Sequence, residues 1–247
     1  MTAQTSNPTS GFHENLLALR SAQKPARGTA AYSRYVNRPL GRLVAAAAHT
    51  VRLSPNQATA ISATLSGTAI VLLATVEPGW QLGLAVALLL AAGYVMDSVD
   101  GQLARLRGTT SLSGEWLDHT VDCFKTITIH LAVVISWYLY PPIDSDLILL
   151  VPLAFAVVDS VTFFGFMFLP MVRPRTSSST VAAPEHPLRT WLLLPSDYGA
   201  LVWMFVLLAW PQVFAFAYFA MFVTGGLLLG LALRKWWREL RSLDGIR

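Results

Sequence analysis

The chain has 247 residues, 54% of them hydrophobic and only 13% charged, with a mean hydropathy of +0.50. A soluble domain of this length carries about twice that charge, so most of the chain belongs in a membrane. The formal net charge is +4, but in a membrane protein the position of basic residues counts for more than their total, and no nucleic-acid partner is inferred. The single cysteine, Cys123, excludes an intramolecular disulfide framework and a cysteine-based zinc site, and reads as a small apolar packing residue.

In chain order, residues 1–29 form a polar tail rich in Ser, Thr, Gln and Pro, without the apolar core of a secretory signal, so insertion is expected to rely on internal spans. Residues 30–53 combine Arg34, Arg38 and Arg42 at helical spacing with Tyr32, Leu40, Leu43 and Val44. This is the pattern of an amphipathic juxtamembrane helix on the cytoplasmic leaflet, with Pro39 in its first turn; a solvated arm binding anionic lipid heads is the alternative.

Six stretches then reach the length of roughly 20 apolar residues that a span requires: 57–76, 81–104, 115–140, 147–171, 192–210 and 212–234. Their joints carry Glu77-Pro78-Gly79, Pro141-Pro142, the Pro/Ser/Thr-rich loop 174–187 and Trp210-Pro211, the last of which a kinked continuous helix could mimic. The expected fold is an all-α integral membrane protein with a six-helix domain over 54–237 and a basic tail over 238–247. Arg105, Arg107, Arg173, Arg175, Arg189 and the tail then share one side, while Glu77, Asp144 and Asp146 occupy the other. Both termini should face the cytoplasm, in the plasma (inner) membrane, by the positive-inside rule. Trp137, Tyr138, Tyr140, Trp236 and Trp237 fit interfacial belts or, equally, scattered packing.

The stretch DSVDGQLARLRGTTSLSGEWLDHTVD, Asp97 to Asp122, sets four aspartates at the joint of the second and third spans. Asp97, Asp100, Gly101, Ala104 and Arg105 lie at offsets of three, four, seven and eight, on one helical face. Gly114, Asp118, Asp122 and Lys125 repeat at four, eight and eleven on the next, and a turn at 108–113 can turn the two faces together. An ionised carboxylate in a span costs about 2.5 to 3.5 kcal/mol. Arg105 and Lys125 could offset two of the four, leaving a deficit that divalent ions would cover. A ligand set of carboxylates without His or Cys favours Mg²⁺ or Mn²⁺ over zinc. A purely structural ion-pair network is the simpler alternative. Gly101 and Gly114 remove side chains beside the acids, as close ligand approach or small-residue helix packing would require. Arg105 offers a planar fork suited to phosphate.

Read in order, Asp97-x-x-Asp100-Gly101-x-x-Ala104-Arg105, eight residues, Gly114, three residues, Asp118, three residues, Asp122 resembles the signature of the CDP-alcohol phosphotransferases, with every fixed position filled. Ser54-Pro55-Asn56-Gln57-Ala58-Thr59 resembles the family's entry to its first span. The resemblance implies that Asp97, Asp100 and Asp118 ligate two Mg²⁺ or Mn²⁺, with Asp122 at the metals and serving as general base. It implies that Gly101, Ala104, Arg105 and Gly114 shape the CDP pocket, and that Asn56 and Thr59 lie near the diphosphate. The implied reaction moves a phosphatidyl or related phospho-alcohol group from a CDP-alcohol, such as CDP-diacylglycerol, to a hydroxyl of a polar acceptor, releasing CMP. Asn37-Arg38-Pro39 resembles the subgroup that handles inositol phosphates, glycerol phosphate being another candidate acceptor. Homodimers are common in the family, although this chain carries no dedicated dimer motif.

Outside the signature, Lys125 could pair with Asp159 in the fourth span or touch the acceptor. His119, off the acidic stripe, reads as packing or hydrogen bonding, and His130 has no evident partner. The competing classes are a divalent-cation transporter lined by the aspartates and an inactive lipid-binding scaffold.

Overall fold

A computed structural model describes residues 11–21, 30–172 and 197–244, and every regular element among them is helical. The loop predicted at 174–187 and Arg173, Arg175 and Arg189 lie outside the described residues.

Helix α1, Phe12–Ser21, was not expected from its polar surroundings. It forms because Leu16 and Leu19 line one face, and they pack into a cluster with Ala45, Ala46, Ala48, Val99 and Leu103. The arm follows as a π turn, Ser33–Asn37, running directly into α2, Arg38–Thr50. Pro39 lacks an N–H and its ring would strike the carbonyl one turn back in an α-helix; the widened π turn accommodates it. The arm is helical, and the face it turns to the bundle is built of small and polar residues. Asn37 is buried and donates from Nδ2 to the Tyr94 carbonyl at 3.1 Å. A Cβ on Gly41 would sit 2.6 Å from Ser98 Oγ. Tyr35, Leu40, Leu43 and Val44 point outward.

Helix α3, Pro55–Thr75, opens with a reciprocal capping box: Ser54 Oγ accepts from Gln57 N at 3.2 Å and Gln57 Oε1 accepts from Ser54 N at 2.8 Å. Helices α4, Trp80–Arg107, and α5, Leu112–Leu139, form a tight hairpin. Gly108, at φ 63°, ends α4 in the left-handed conformation that glycine adopts without a Cβ penalty, and Thr109 N returns to the Ala104 carbonyl at 3.0 Å. Ser111 caps α5 by accepting from Gly114 N at 3.1 Å. After a 3-10 turn, Asp146–Leu149, come α6, Leu150–Val172, then α7, Tyr198–Met204, which tightens into a 3-10 turn over Phe205–Ala209, and α8, Pro211–Asp244. The predicted tail is helical through residue 244.

Five helices, α3, α4, α5, α6 with its leading turn, and α8, are long and apolar enough to cross a bilayer. They match five of the six predicted stretches. In the remaining stretch, 192–210, residues 192–196 lie outside the described residues and the apolar helix spans Tyr198–Ala209, roughly 20 Å of rise. It runs along the N-terminal half of α4: Tyr198 packs edge-on against Tyr94, with ring centroids 5.0 Å apart, and a Cβ on Gly83 would sit 2.6 Å from the Phe205 carbonyl. Asp197 caps it, accepting from Gly199 N at 3.1 Å, and also accepts from Ser33 N of the arm at 3.2 Å.

The core lies between α3, α4, α5, α6, α8 and the segment of α7 with its 3-10 turn, around Trp137, Phe155, Phe205, Phe214 and Tyr218. Of the two readings open for Trp137, belt or packing, the structure shows packing: it is 3% exposed and lies against Tyr218 at 5.4 Å, whereas Tyr138 and Trp237 are exposed as a belt requires. Within this core His130 joins three helices: Nδ1 lies 2.5 Å from Tyr218 Oη, and Nε2 lies 2.9 Å from Asp159 Oδ2. His130 therefore has two partners, and Asp159 is paired with it rather than with Lys125.

Small residues bring α3 against α4, with Ser62 Oγ donating to the Gly93 carbonyl at 2.8 Å. A Cβ on Gly93 would press on the Ser66 side chain and stand 3.3 Å from the backbone carbonyl of Ser62. Gly93→Val is expected to lower stability by about 1 to 3 kcal/mol through overpacking, measurable as a reduced Tm in detergent.

Candidate active site

The hairpin turns both acidic faces inward and toward α3. Asp100 is 6% exposed; it accepts from Thr59 Oγ1 at 2.6 Å and from its neighbour Gly101 N. Asp118, on α5, faces the Asp100 carboxylate across the helix interface. Asp97 and Asp122 form the second half of the cluster, joined through Lys125: Nζ lies 2.5 Å from Asp97 Oδ1 and 2.7 Å from Asp122 Oδ1. Asp122 is within Coulombic reach of Asp97, Asp100 and Asp118. All four predicted carboxylates thus converge.

They open onto two spaces. A cavity of about 520 Å³ is lined by Asn56, Thr59, Asp100, Gly101, Ala104, Arg105, Gly114 and Asp118, together with Thr109–Leu112, Glu115 and His119. Every predicted pocket residue is on this wall, within the volume range of small-ligand sites. Asp97 and Asp122 are not on it. They line a second cavity of about 150 Å³ with Tyr94, Lys125, Thr126, Phe163 and Tyr198. The acids therefore form a partition between a larger and a smaller chamber, which linear spacing does not reveal.

The glycines act by what they leave open. A Cβ on Gly114 would lie 2.9 Å from Ser111 Oγ and 3.3 Å from Asn56 Oδ1, so the close approach of α5 to the start of α3 requires glycine there. At Gly101 a Cβ would meet protein only at Arg105 Nη1, 3.4 Å away, so the absent side chain widens the cavity. Arg105 Nε is buried without a hydrogen-bond partner. Its guanidinium is a fork awaiting an acceptor.

The donor set fits a divalent cation. Asp118 Oδ1 is buried without a hydrogen-bond partner, a state that ordinarily calls for a partner or an ion. Asp118, His119 and Asp122 can each bring one ligand atom within 4.8 Å of the others, so the cluster can hold a metal ion. His119 leaves the i, i+4 acid stripe, and the sequence alone reads it as packing or hydrogen bonding. Its imidazole lies 3.8 Å from both Glu115 and Asp118 and lines the larger cavity.

An all-helical membrane bundle with a carboxylate-walled cavity at one helical hairpin defines a class, and comparison with known proteins names it. The sequence model for CDP-alcohol phosphatidyltransferase matches residues 52–232, and the chain belongs to that family. It is also similar to an archaetidylinositol phosphate synthase of Pyrococcus horikoshii, at 34% identity over 101 residues, 41% of this chain. The match spans half the length of that relative.

Proposed function

We propose that the protein transfers a phosphatidyl or related phospho-alcohol group from a CDP-alcohol, CDP-diacylglycerol in the simplest case, to a hydroxyl of a polar acceptor, releasing CMP. The observation that carries this reading is the larger cavity, where Asn56, Thr59, Gly101, Ala104, Arg105 and Gly114 surround Asp100 and Asp118. Its volume suits a nucleotide, and its unpaired Arg105 Nε suits a diphosphate.

In this reading Asp97, Asp100, Asp118 and Asp122 hold two Mg²⁺ or Mn²⁺. When bound, such ions polarise the phosphoryl oxygens and offset charge on the departing group. Thr59 fixes the Asp100 carboxylate, Arg105 takes diphosphate oxygens, and Gly101 and Gly114 let the nucleotide reach the helix backbone. The acceptor oxygen attacks the phosphorus that carries the donor alcohol, and the bond from that phosphorus to the CMP oxygen breaks. Asp122, with one oxygen held by Lys125, takes the acceptor's proton on the other.

Inositol phosphate is the favoured acceptor, glycerol phosphate the next, supported by the Asn37-Arg38-Pro39 resemblance and by the relative's name. The distribution of arginines supports a cytoplasmic site with both termini on that side of the plasma (inner) membrane. A transmembrane cation path would need a relay beyond the cluster, and Asp159 is engaged by His130.

The test is CMP release from CDP-diacylglycerol by protein reconstituted in lipid, with Mg²⁺ or Mn²⁺ and a panel of polyols and their phosphates. Mass spectrometry of the lipid formed identifies the acceptor. Absence of CMP with every CDP-alcohol donor overturns the reading.

A further inference from the structure

Lys125 belongs to none of the signature positions, yet its ammonium reaches two of the four carboxylates. Its ammonium bridges Asp97 Oδ1 and Asp122 Oδ1 at 2.5 and 2.7 Å and lies 3.4 Å from Ser62 Oγ. One group thereby ties α3, α4 and α5 together. The side chain is 11% exposed, so these contacts are made largely out of water, where a unit charge is felt far more strongly than at a surface. The other half of the cluster is organised differently: Asp100 is held by the neutral Thr59 hydroxyl and the Gly101 amide. Hence the four carboxylates are not equivalent. Asp100 is fixed by neutral donors beside the larger cavity, whereas Asp97 and Asp122 share a resident positive charge beside the smaller one.

We propose that Lys125 is a positioning residue that acts as a built-in cation: it holds one oxygen each of Asp97 and Asp122 and keeps divalent ions from settling between them on the side of the smaller cavity. This rests on the reading above that the aspartates are metal ligands. With the ammonium present, each of the two carboxylates has one oxygen held, which keeps Asp122 in a fixed orientation. Without it, the same pair becomes a more negative site, and an ion is drawn to where the ammonium was.

The consequence is a split that simple damage to the fold cannot produce. In Lys125→Met, which keeps most of the side-chain length without the charge, Mn²⁺ should bind about tenfold more tightly or better. Turnover at saturating Mn²⁺ should fall about a hundredfold with little change in the KM for the CDP-alcohol. Lys125→Arg, which retains the charge, should keep Mn²⁺ affinity within about threefold of the parent protein. Mn²⁺ binding is read by electron paramagnetic resonance on purified full-length protein in nanodiscs, and CMP release is read on the same samples. Tighter binding with slower turnover in Lys125→Met, and not in Lys125→Arg, supports the proposal. Binding that weakens or stays unchanged in Lys125→Met overturns it while leaving the metal reading intact. If the parent protein binds no Mn²⁺, the metal reading fails and this inference falls with it. A Tm for each variant identifies one that has not folded. In that case Ser62→Ala together with Lys125→Gln is used, and unchanged Mn²⁺ affinity there counts against the proposal.

Discussion

Asp100→Asn is expected to reduce CMP release about a thousandfold, the effect of losing several kcal/mol of charge stabilisation at the reacting phosphate. The substitution keeps the shape of the side chain, and Thr59 can still reach it, so Tm should stay within a few degrees. What changes is charge: the carboxylate on the wall of the larger cavity, 6% exposed and facing Asp118, becomes a neutral amide. The amide also presents N–H donors where Gly101 N and Thr59 Oγ1 already donate, so one donor must turn away. Single-turnover CMP formation from CDP-diacylglycerol, with Mn²⁺ binding measured in parallel, separates lost ion binding from lost chemistry. Retention of more than about a tenth of the parent rate would remove Asp100 from the chemistry.

The second large effect concerns stability. His130→Leu should destabilise the bundle by about 2 kcal/mol, because it takes the imidazole from the buried Tyr218 hydroxyl and from the half-buried Asp159 carboxylate. This exceeds the mean of about 0.6 kcal/mol for a single hydrogen bond in a membrane protein, since one substitution takes a partner from two groups. Tyr218→Phe should lose about 1 kcal/mol, and the double variant should lose less than the sum. Thermal unfolding in a fixed detergent measures all three variants, and strict additivity would show that His130 and Tyr218 do not act as a unit. CMP release at low temperature should be nearly unaffected, because no atom of this network lines either cavity of the acidic cluster.

The hairpin was the most legible part of the chain. Offsets of three, four, seven and eight turn directly into a helical face, and Gly108 with the capping Ser111 marks the turn that folds one face onto the other. The convergence of Asp97, Asp100, Asp118 and Asp122 follows from that local code, whereas Asn56 and Thr59, on α3, were expected at the pocket only from the family resemblance and stand on the same cavity wall as Arg105. What remained hidden depends on how helices are rotated against partners distant in sequence. Lys125 could be placed on the Asp122 stripe, but whether it meets Asp97 or Asp159 depends on the orientation of α6. His130 found its partners 29 and 88 residues away. Trp137 sits near a helix end, where belt and packing are equally open, and it is α8 that covers it. The stretch 192–210 has the composition of a span, but its described part tightens into a 3-10 turn before Trp210-Pro211, a change that apolar content does not encode. Helix α1 and the bracing of the arm by Asn37 were missed for the opposite reason: a few apolar or polar contacts organise segments whose average composition is unremarkable.

The turn between α4 and α5 has a bearing on how such a charged centre is made at all. Only Gly108 to Ser111 separate the two helices, and all the signature residues, with Asn56 and Thr59, fall within the first half of the chain, Lys125 following Asp122 by less than one turn. Neighbouring segments find one another quickly because little chain entropy is lost in closing a short loop. During synthesis, the nascent acidic hairpin can therefore gather its counterions while the later helices are still on the ribosome, and those helices then close around a centre whose charge is already balanced.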